Sequence, residues 1–268
     1  MKFLRWVLSI LSPQRGESES PNNVYQLLQD AHAHMRSEEY DKARPLFLEA
    51  IASRDNINEP ETISYILMSL GSTWLLTEQL EDGIAFFSEY ISRYPKDSRA
   101  YGERAAVLWY SGRLQEAIGD YSRALELQPG DILSLSGRGQ VLAEAGEHRR
   151  AMEDLNLAIV TLKTVSRPDS SWDKFYEQVE AFVHNGRGVA LAGLGESAWA
   201  MDEFEVSIRL SPDNAWVYHN RAQVYDRAGS REKANEDYQK ALTKKNPALT
   251  SNRKALAEAR VRELSINS

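Results

Sequence analysis

The stretch from Ser98 to Asp131, SRAYGERAAVLWYSGRLQEAIGDYSRALELQPGD, recurs along the chain at its own length of 34 residues. That recurrence restricts the fold more than any other feature. Within the stretch, apolar residues return every three to four positions over Tyr101 to Tyr110 and again over Leu114 to Leu127, with the turn signal Ser111-Gly112 between them. The pattern predicts two helices folded back on each other. Ala105 and Ala117 let the pair approach closely, and Pro129, which cannot donate an internal hydrogen bond, ends the second helix. One period on, Ala105 becomes Gly139, Gly112 becomes Gly146, Ala117 becomes Ala151 and Ala124 becomes Ala158; one period back stand Gly71, Gly83, Phe87 and Pro95. A second in-phase run carries Gly188, Gly195, Ala200, Phe204 and Pro212, then Ala222, Gly229, Ala234, Tyr238 and Ala241. A weaker copy, from Val24 to Ile57, is marked by Ala31, Ala43, Phe47 and Ala50.

These residues resemble the tetratricopeptide repeat family, whose unit of the same length places small residues, aromatics and a terminal proline in this order. The resemblance spans about six repeats and implies an all-α fold, a right-handed α-solenoid of helical hairpins closed by a C-terminal capping helix. It also implies a protein-interaction role, with a peptide or partner domain bound on a concave face lined by the first helix of each hairpin. The positions that match are Tyr25, His32, Tyr65, Met68, Arg99, Trp109, Tyr110, Phe182, Asn185, Trp216 and His219, accompanied by Met35, Arg36, Leu75 and Arg227. Rings with a few Arg and Asn groups are favoured at interfaces because they bury much area at small entropy cost. The other reading of the same rings is that they fill the inside of a tightly wound stack. Chaperone-docking relatives hold a carboxylate with Lys and Asn, but the matching pairs here are Leu28 and His32, Met68 and Ser72, Gly102 and Ala106, Ser136 and Gln140, Asn185 and Val189, and His219 and Gln223. No complete clamp results, so an apolar or mixed peptide is the better expectation.

In domain terms the chain divides into a hydrophobic N-terminal segment and polar linker (1–20), a six-repeat solenoid (21–248) with an insertion at 166–180, and a capping helix and tail (249–268). Met1 to Leu11, MKFLRWVLSIL, is too short to span a bilayer and is interrupted by Arg5. Three readings stay open for it: a helix in a membrane interface, a segment docked on the stack or a partner, and an atypical export signal. Asn58 is a candidate cap for a helix opening at Pro60 that exceeds the family length by about a turn, and Ser171 is one for a helix starting at Trp172 and running to about Leu194. Trp172, Phe175 and Tyr176 on that extension are candidates for a partner contact or for packing on the fourth hairpin. The last helix, Asn252 to Leu264, shows an apolar side of Leu256, Ala259 and Leu264, with Arg253, Lys254, Glu258, Arg260 and Glu263 facing water.

The most regular charged feature is an Arg followed sixteen residues later by an acid: Arg104 and Asp120, Arg138 and Asp154, Arg187 and Glu203, Arg221 and Asp237. The first two repeats lose both members together, with Asp30 and Leu46, then Leu70 and Phe86. Joint presence and joint loss predict contact between the partners, because an Arg partly buried between helices needs a carboxylate.

Chemistry is bounded by what the chain lacks. There are no cysteines, which excludes disulfides, thiolate metal sites and a thiol nucleophile, and the net charge of −7 argues against general nucleic-acid binding. No phosphate-cradling glycine motif, zinc-protease spacing or nucleophile elbow is present. His32 and His34 sit two apart, on different sides of one helix, and do not chelate one metal from it. The expectation is therefore a non-enzymatic scaffold or adaptor without cofactor or metal, cytoplasmic, with a protein or peptide partner and no nucleic acid; peripheral membrane contact through residues 1–11 stays open as one of the three readings of that segment, and the oligomeric state is left open. The alternatives are a regulator that occludes a partner enzyme, with a membrane surface as one setting, and a self-assembling structural component.

Overall fold

The computed structural model describes residues 22–54, 57–165, 173–244 and 250–266. The segment 1–11, the linker to Ser20, the cap Ser171 and Trp172 lie outside the described residues. Among those described there are thirteen helices and no strand, grouped in two compact units that divide after Pro129.

The first unit holds three hairpins: α1 (Asn22–Arg36) with α2 (Tyr40–Ala52), α3 (Pro60–Thr77) with α4 (Leu80–Arg93), and α5 (Ser98–Tyr110) with α6 (Leu114–Leu127). Its core is built from Leu28, Phe47, Ile66, Leu67, Leu70 and Phe87, all fully buried. α3 packs on α2 and on α5, so the first hairpin leans on the second and the second on the third. α3 has the expected extra turn, at 18 residues against 13 for α5. Its cap differs from expectation: Glu59, not Asn58, precedes the helix, because Pro60 takes the first helical position, where its missing N–H costs nothing.

The second unit comprises α7 (Ile132–Glu144) with α8 (His148–Thr164), α9 (Asp173–Gly193) with α10 (Ser197–Leu210), α11 (Ala215–Arg227) with α12 (Arg231–Thr243), and the closing helix α13 (Ser251–Ile266). Asp131 and Asn214 cap α7 and α11 by accepting the backbone N–H groups of Ser134 (2.8 Å) and Trp216 (2.9 Å). The first helices α7, α9 and α11 pack in sequence, and α13 lies on α12.

Two expectations for α13 are corrected. Its buried side is Ala257, half-buried Val261 and Leu264, while Leu256 is 46% exposed and Ala259 faces solvent. The positions i, i+4 and i+7 bring the small Ala257 against Ala222, Ala234 and Tyr238, where Leu256 would not fit so close an approach. Nor do Arg253 and Arg260 face water freely. Arg260 makes a bidentate pair with Asp226 (2.9 and 2.7 Å), and Arg253 pairs with Glu144.

The four Arg–acid pairs expected from the sequence all form. Arg104 grips Asp120 at 2.6 and 2.8 Å, Arg138 grips Asp154 at 2.7 and 2.8 Å, and Arg221 grips Asp237 at 2.6 and 3.0 Å. Arg187 reaches Glu203 at 3.1 Å. Each joins the first helix of a hairpin to its second. The hydrogen bonds to Asp154 hold the Arg138 guanidinium even more firmly charged than usual, against the burial that opposes charge. Asp154→Ala alone is expected to cost about 2–3 kcal/mol because it strands Arg138 between helices. The Arg138→Ala, Asp154→Ala double variant should fall short of the summed single losses by at least about 1 kcal/mol in urea unfolding. Strict additivity would contradict the clasp.

Candidate protein-interaction surfaces

In the first unit the row expected to meet a partner has a closed floor and an open rim. His32 is 1% exposed, stacks on Tyr65 with ring centroids 4.9 Å apart, and meets Phe47 edge-on at 6.2 Å. The His32–Tyr65 stack links α1 to α3. Tyr65 and Met68, one turn apart on α3, remain half-buried with an accessible side. On α5, Trp109 is buried and Tyr110 packs against it edge to face at 5.5 Å while staying half-exposed to solvent. Arg99, near the start of α5, lies 3.9 Å from Glu103. Tyr25 donates its hydroxyl to Glu59 at 3.3 Å, and burial followed by that carboxylate pushes its phenol pKa up.

In the second unit the matching row is largely closed. Asn185 is fully buried and accepts a hydrogen bond from Asn220 at 3.0 Å. Phe182 is half-buried, and its backbone carbonyl accepts one from Gln140 at 2.7 Å. Trp216 is 4% and His219 1% exposed, with His219 edge-on to Tyr238 at 5.7 Å. Over Trp216 lies the Arg253 guanidinium, 4.1 Å from the ring centroid. Of the eleven residues expected at the surface, His32, Trp109, Asn185, Trp216 and His219 are therefore in the interior, and Tyr25, Tyr65, Met68, Arg99, Tyr110 and Phe182 reach solvent in part. Phe175 and Tyr176, on the first turn of α9, pack on each other at 5.5 Å and are half-buried.

Two contacts are not signalled by the sequence pattern. Glu203 is shared between Arg187 and His184, whose Nδ1 lies 2.6 Å from it, so the fifth hairpin clasps with three groups. Glu144 and Arg253, 109 residues apart, meet without any periodic signal. The one hint was chemical: two basic residues, Arg253 and Lys254, open a helix whose first turn has no acid. Among the described residues no group of three His, Cys, Asp or Glu is placed to hold a metal, and no helix is long and apolar enough to cross a membrane.

With this geometry in view, the similarities to known proteins agree with it. Tetratricopeptide repeat profiles match residues 28–98, 98–131 and 217–243. The chain is a tetratricopeptide repeat protein. It is 32% identical over 83 residues to Hsp70-Hsp90 organizing protein 2 of Arabidopsis thaliana, a match covering 31% of this chain and 14% of that protein. Two crystal structures show the same fold. One is a tetratricopeptide repeat protein from Parabacteroides merdae (16% identity, 91% of this chain and 99% of that one, TM-score 0.51). The other is the thermophilic repeat protein TTC0263 of Thermus thermophilus (18% identity, 74% and 98%, TM-score 0.53).

Closing the row has a consequence in acid. Burial, reinforced by the Arg253 charge, pushes the His219 imidazole down from 6.5 to about 4, and burial pushes His32 down as well, with the Leu28 carbonyl pulling the other way. Below pH 6.5 the unfolded chain takes up a proton that folded His219 refuses. Stability present above pH 6.5 is thus lost as the pH falls towards 4, by up to about 1.4 kcal/mol per pH unit for this residue. Urea unfolding at pH 7.0 and 4.5 should show a loss of about 2–3 kcal/mol from His219 in the wild type that is absent in His219→Gln. An equal pH-dependent loss in both would show that His219 is not held neutral.

Proposed function

We propose that this chain is a non-enzymatic protein–protein interaction adaptor, and that its first unit receives a peptide or partner segment along α1, α3 and α5. The observation that carries this reading is the layered row in that unit, where the half-exposed Tyr65 and Tyr110 rest on the buried rings of His32 and Trp109. Rings already held by a packed floor lose little rotamer freedom when a partner covers them, so more of the contact area appears as affinity. Met68 beside them adds an adaptable apolar contact, and Arg99 adds a donor for a partner carbonyl or carboxylate.

The plant relative is named as an organizing protein for Hsp70 and Hsp90. An organizing role is what is carried over here, and those partners are not. A carboxylate clamp needs Lys and Asn donors on successive first helices, whereas the first-unit positions hold fully buried Leu28, His32 in the core, Met68, Ser72, Gly102 and Ala106. That chemistry suits an apolar or mixed segment better than a free C-terminus.

Affinity capture from the native cell extract tests the site. The intact chain is compared with a Met68→Glu, Tyr110→Ala variant whose helical content and unfolding midpoint are shown to be retained. A partner held by the first and reduced at least about tenfold by the second is expected, since central aromatic and apolar anchors each carry more than about 1 kcal/mol. Equal recovery by both would contradict the placement on α3 and α5.

A further inference from the structure

In the second unit, the group that covers Trp216 comes from the last helix of the chain. Arg253, in the first turn of α13, lays its guanidinium on the Trp216 ring and pairs with Glu144 at the C-terminal end of α7. The Arg253 and Glu144 side chains keep only 20% and 23% of their exposure. His219, one turn along α11 from Trp216, lines the same side and is close enough for the Arg253 charge to disfavour its protonation.

The helix itself does not favour a cation at this point. The positive end of the helix dipole opposes Arg253, Lys254 follows it, and no acid stands in the first turn. Nor is Arg253 what anchors α13. That is done further along, by Ala257 and Leu264 against Ala222, Ala234 and Tyr238, and by the Arg260–Asp226 pair. The contact at Trp216 is therefore separable from the docking of the helix, and the side chain is held there by what the site offers a guanidinium. A flat guanidinium presents one face to an indole while its edge donates to a carboxylate; a compact ammonium cannot serve both so well.

We propose that Trp216 and Glu144 form a recognition site for the guanidinium of an arginine presented by a partner peptide, and that Arg253 is its intramolecular occupant. An arginine in an extended segment meets no opposing helix dipole, so it displaces Arg253 once neighbouring contacts offset the high effective concentration of the tethered group. The site adds a cation-selective element to the adaptor reading and does not depend on the first-unit surface.

The test uses the full chain and two variants that remove the Arg253 guanidinium, Arg253→Ala and Arg253→Gln, the second keeping a long polar side chain in case the first loosens α13. N-acetyl-arginine methylamide is titrated in, with its neutral isostere N-acetyl-citrulline methylamide as control. Binding is followed by the Trp216 indole N–H resonance, assigned with Trp216→Phe. Both variants should show a saturable shift with the arginine probe at an affinity at least about tenfold above that of the wild type, little response to citrulline, and loss of the shift when Glu144→Gln is added. Responses that match between wild type and variants, or between arginine and citrulline, would overturn the proposal. Neither result bears on the capture experiment with Met68 and Tyr110, so the two readings stand or fall separately.

Discussion

Everything in these two units depends on how closely the two helices of a hairpin can approach. Ala31 with Ala43, Gly71 with Gly83, Ala105 with Ala117, Gly139 with Ala151, Gly188 with Ala200 and Ala222 with Ala234 are all buried. At Gly188 an added Cβ would lie 2.5 Å from the Phe204 ring, and at Gly139 2.5 Å from Leu155. The large residue on one helix thus fills the space left by the missing side chain on the other, so the core is made of interlocked pairs. Gly119, outside this contact, has nothing within 4 Å of where a Cβ would stand.

Close approach also brings charges together that would otherwise remain in water. Arg104, Arg138 and Arg221 lie across their hairpins because the backbones are near enough for a bidentate grip on the carboxylate opposite. The first two hairpins lack the grip, and in the second apolar packing takes its place, with Leu70 fully buried and Phe86 beside Trp74 at 5.0 Å. With the hairpins fixed in these two ways, the first helices carry their rings as packed platforms. In the first unit the platform keeps an accessible rim of Tyr65, Met68 and Tyr110; in the second it is covered at Trp216 by Arg253. The same repeat therefore yields a partly exposed rim in the first unit and a row covered at Trp216 in the second.

The period, the small-residue contacts and the Arg–acid pairs were legible because each is a short-range rule applied repeatedly. Turn conformation was legible for the later hairpins, where Gly112, Gly146, Gly195 and Gly229 occupy the left-handed region, and less so for the first two, where Glu38 and Glu78 take it with φ of 58° and 54°. Depth was not legible. Periodicity says which side of a helix faces its neighbours, but whether His32 lies under that side or on it depends on packing from the next hairpin, whose Tyr65 stacks on it. The face of α13 was misread for a related reason. Leu256 is the more hydrophobic choice, yet the approach to Ala222 and Ala234 selects the smaller Ala257. The Glu144–Arg253 meeting joins residues from two ends of a unit, and no local pattern encodes it.

The most direct check on the open rim and the covered one is hydroxyl-radical footprinting of the full chain, read residue by residue. Trp199, at 65% exposure, serves as the internal reference for a free indole. Met68, Tyr65 and Tyr110 should be modified at measurable rates, while Trp216 and Trp109 are protected by at least about tenfold relative to Trp199, as expected for side chains in a packed interior. Modification of Trp216 at the rate of Trp199, with Met68 and Tyr110 protected, would contradict the assignment of the open surface to the first unit and the covered one to the second.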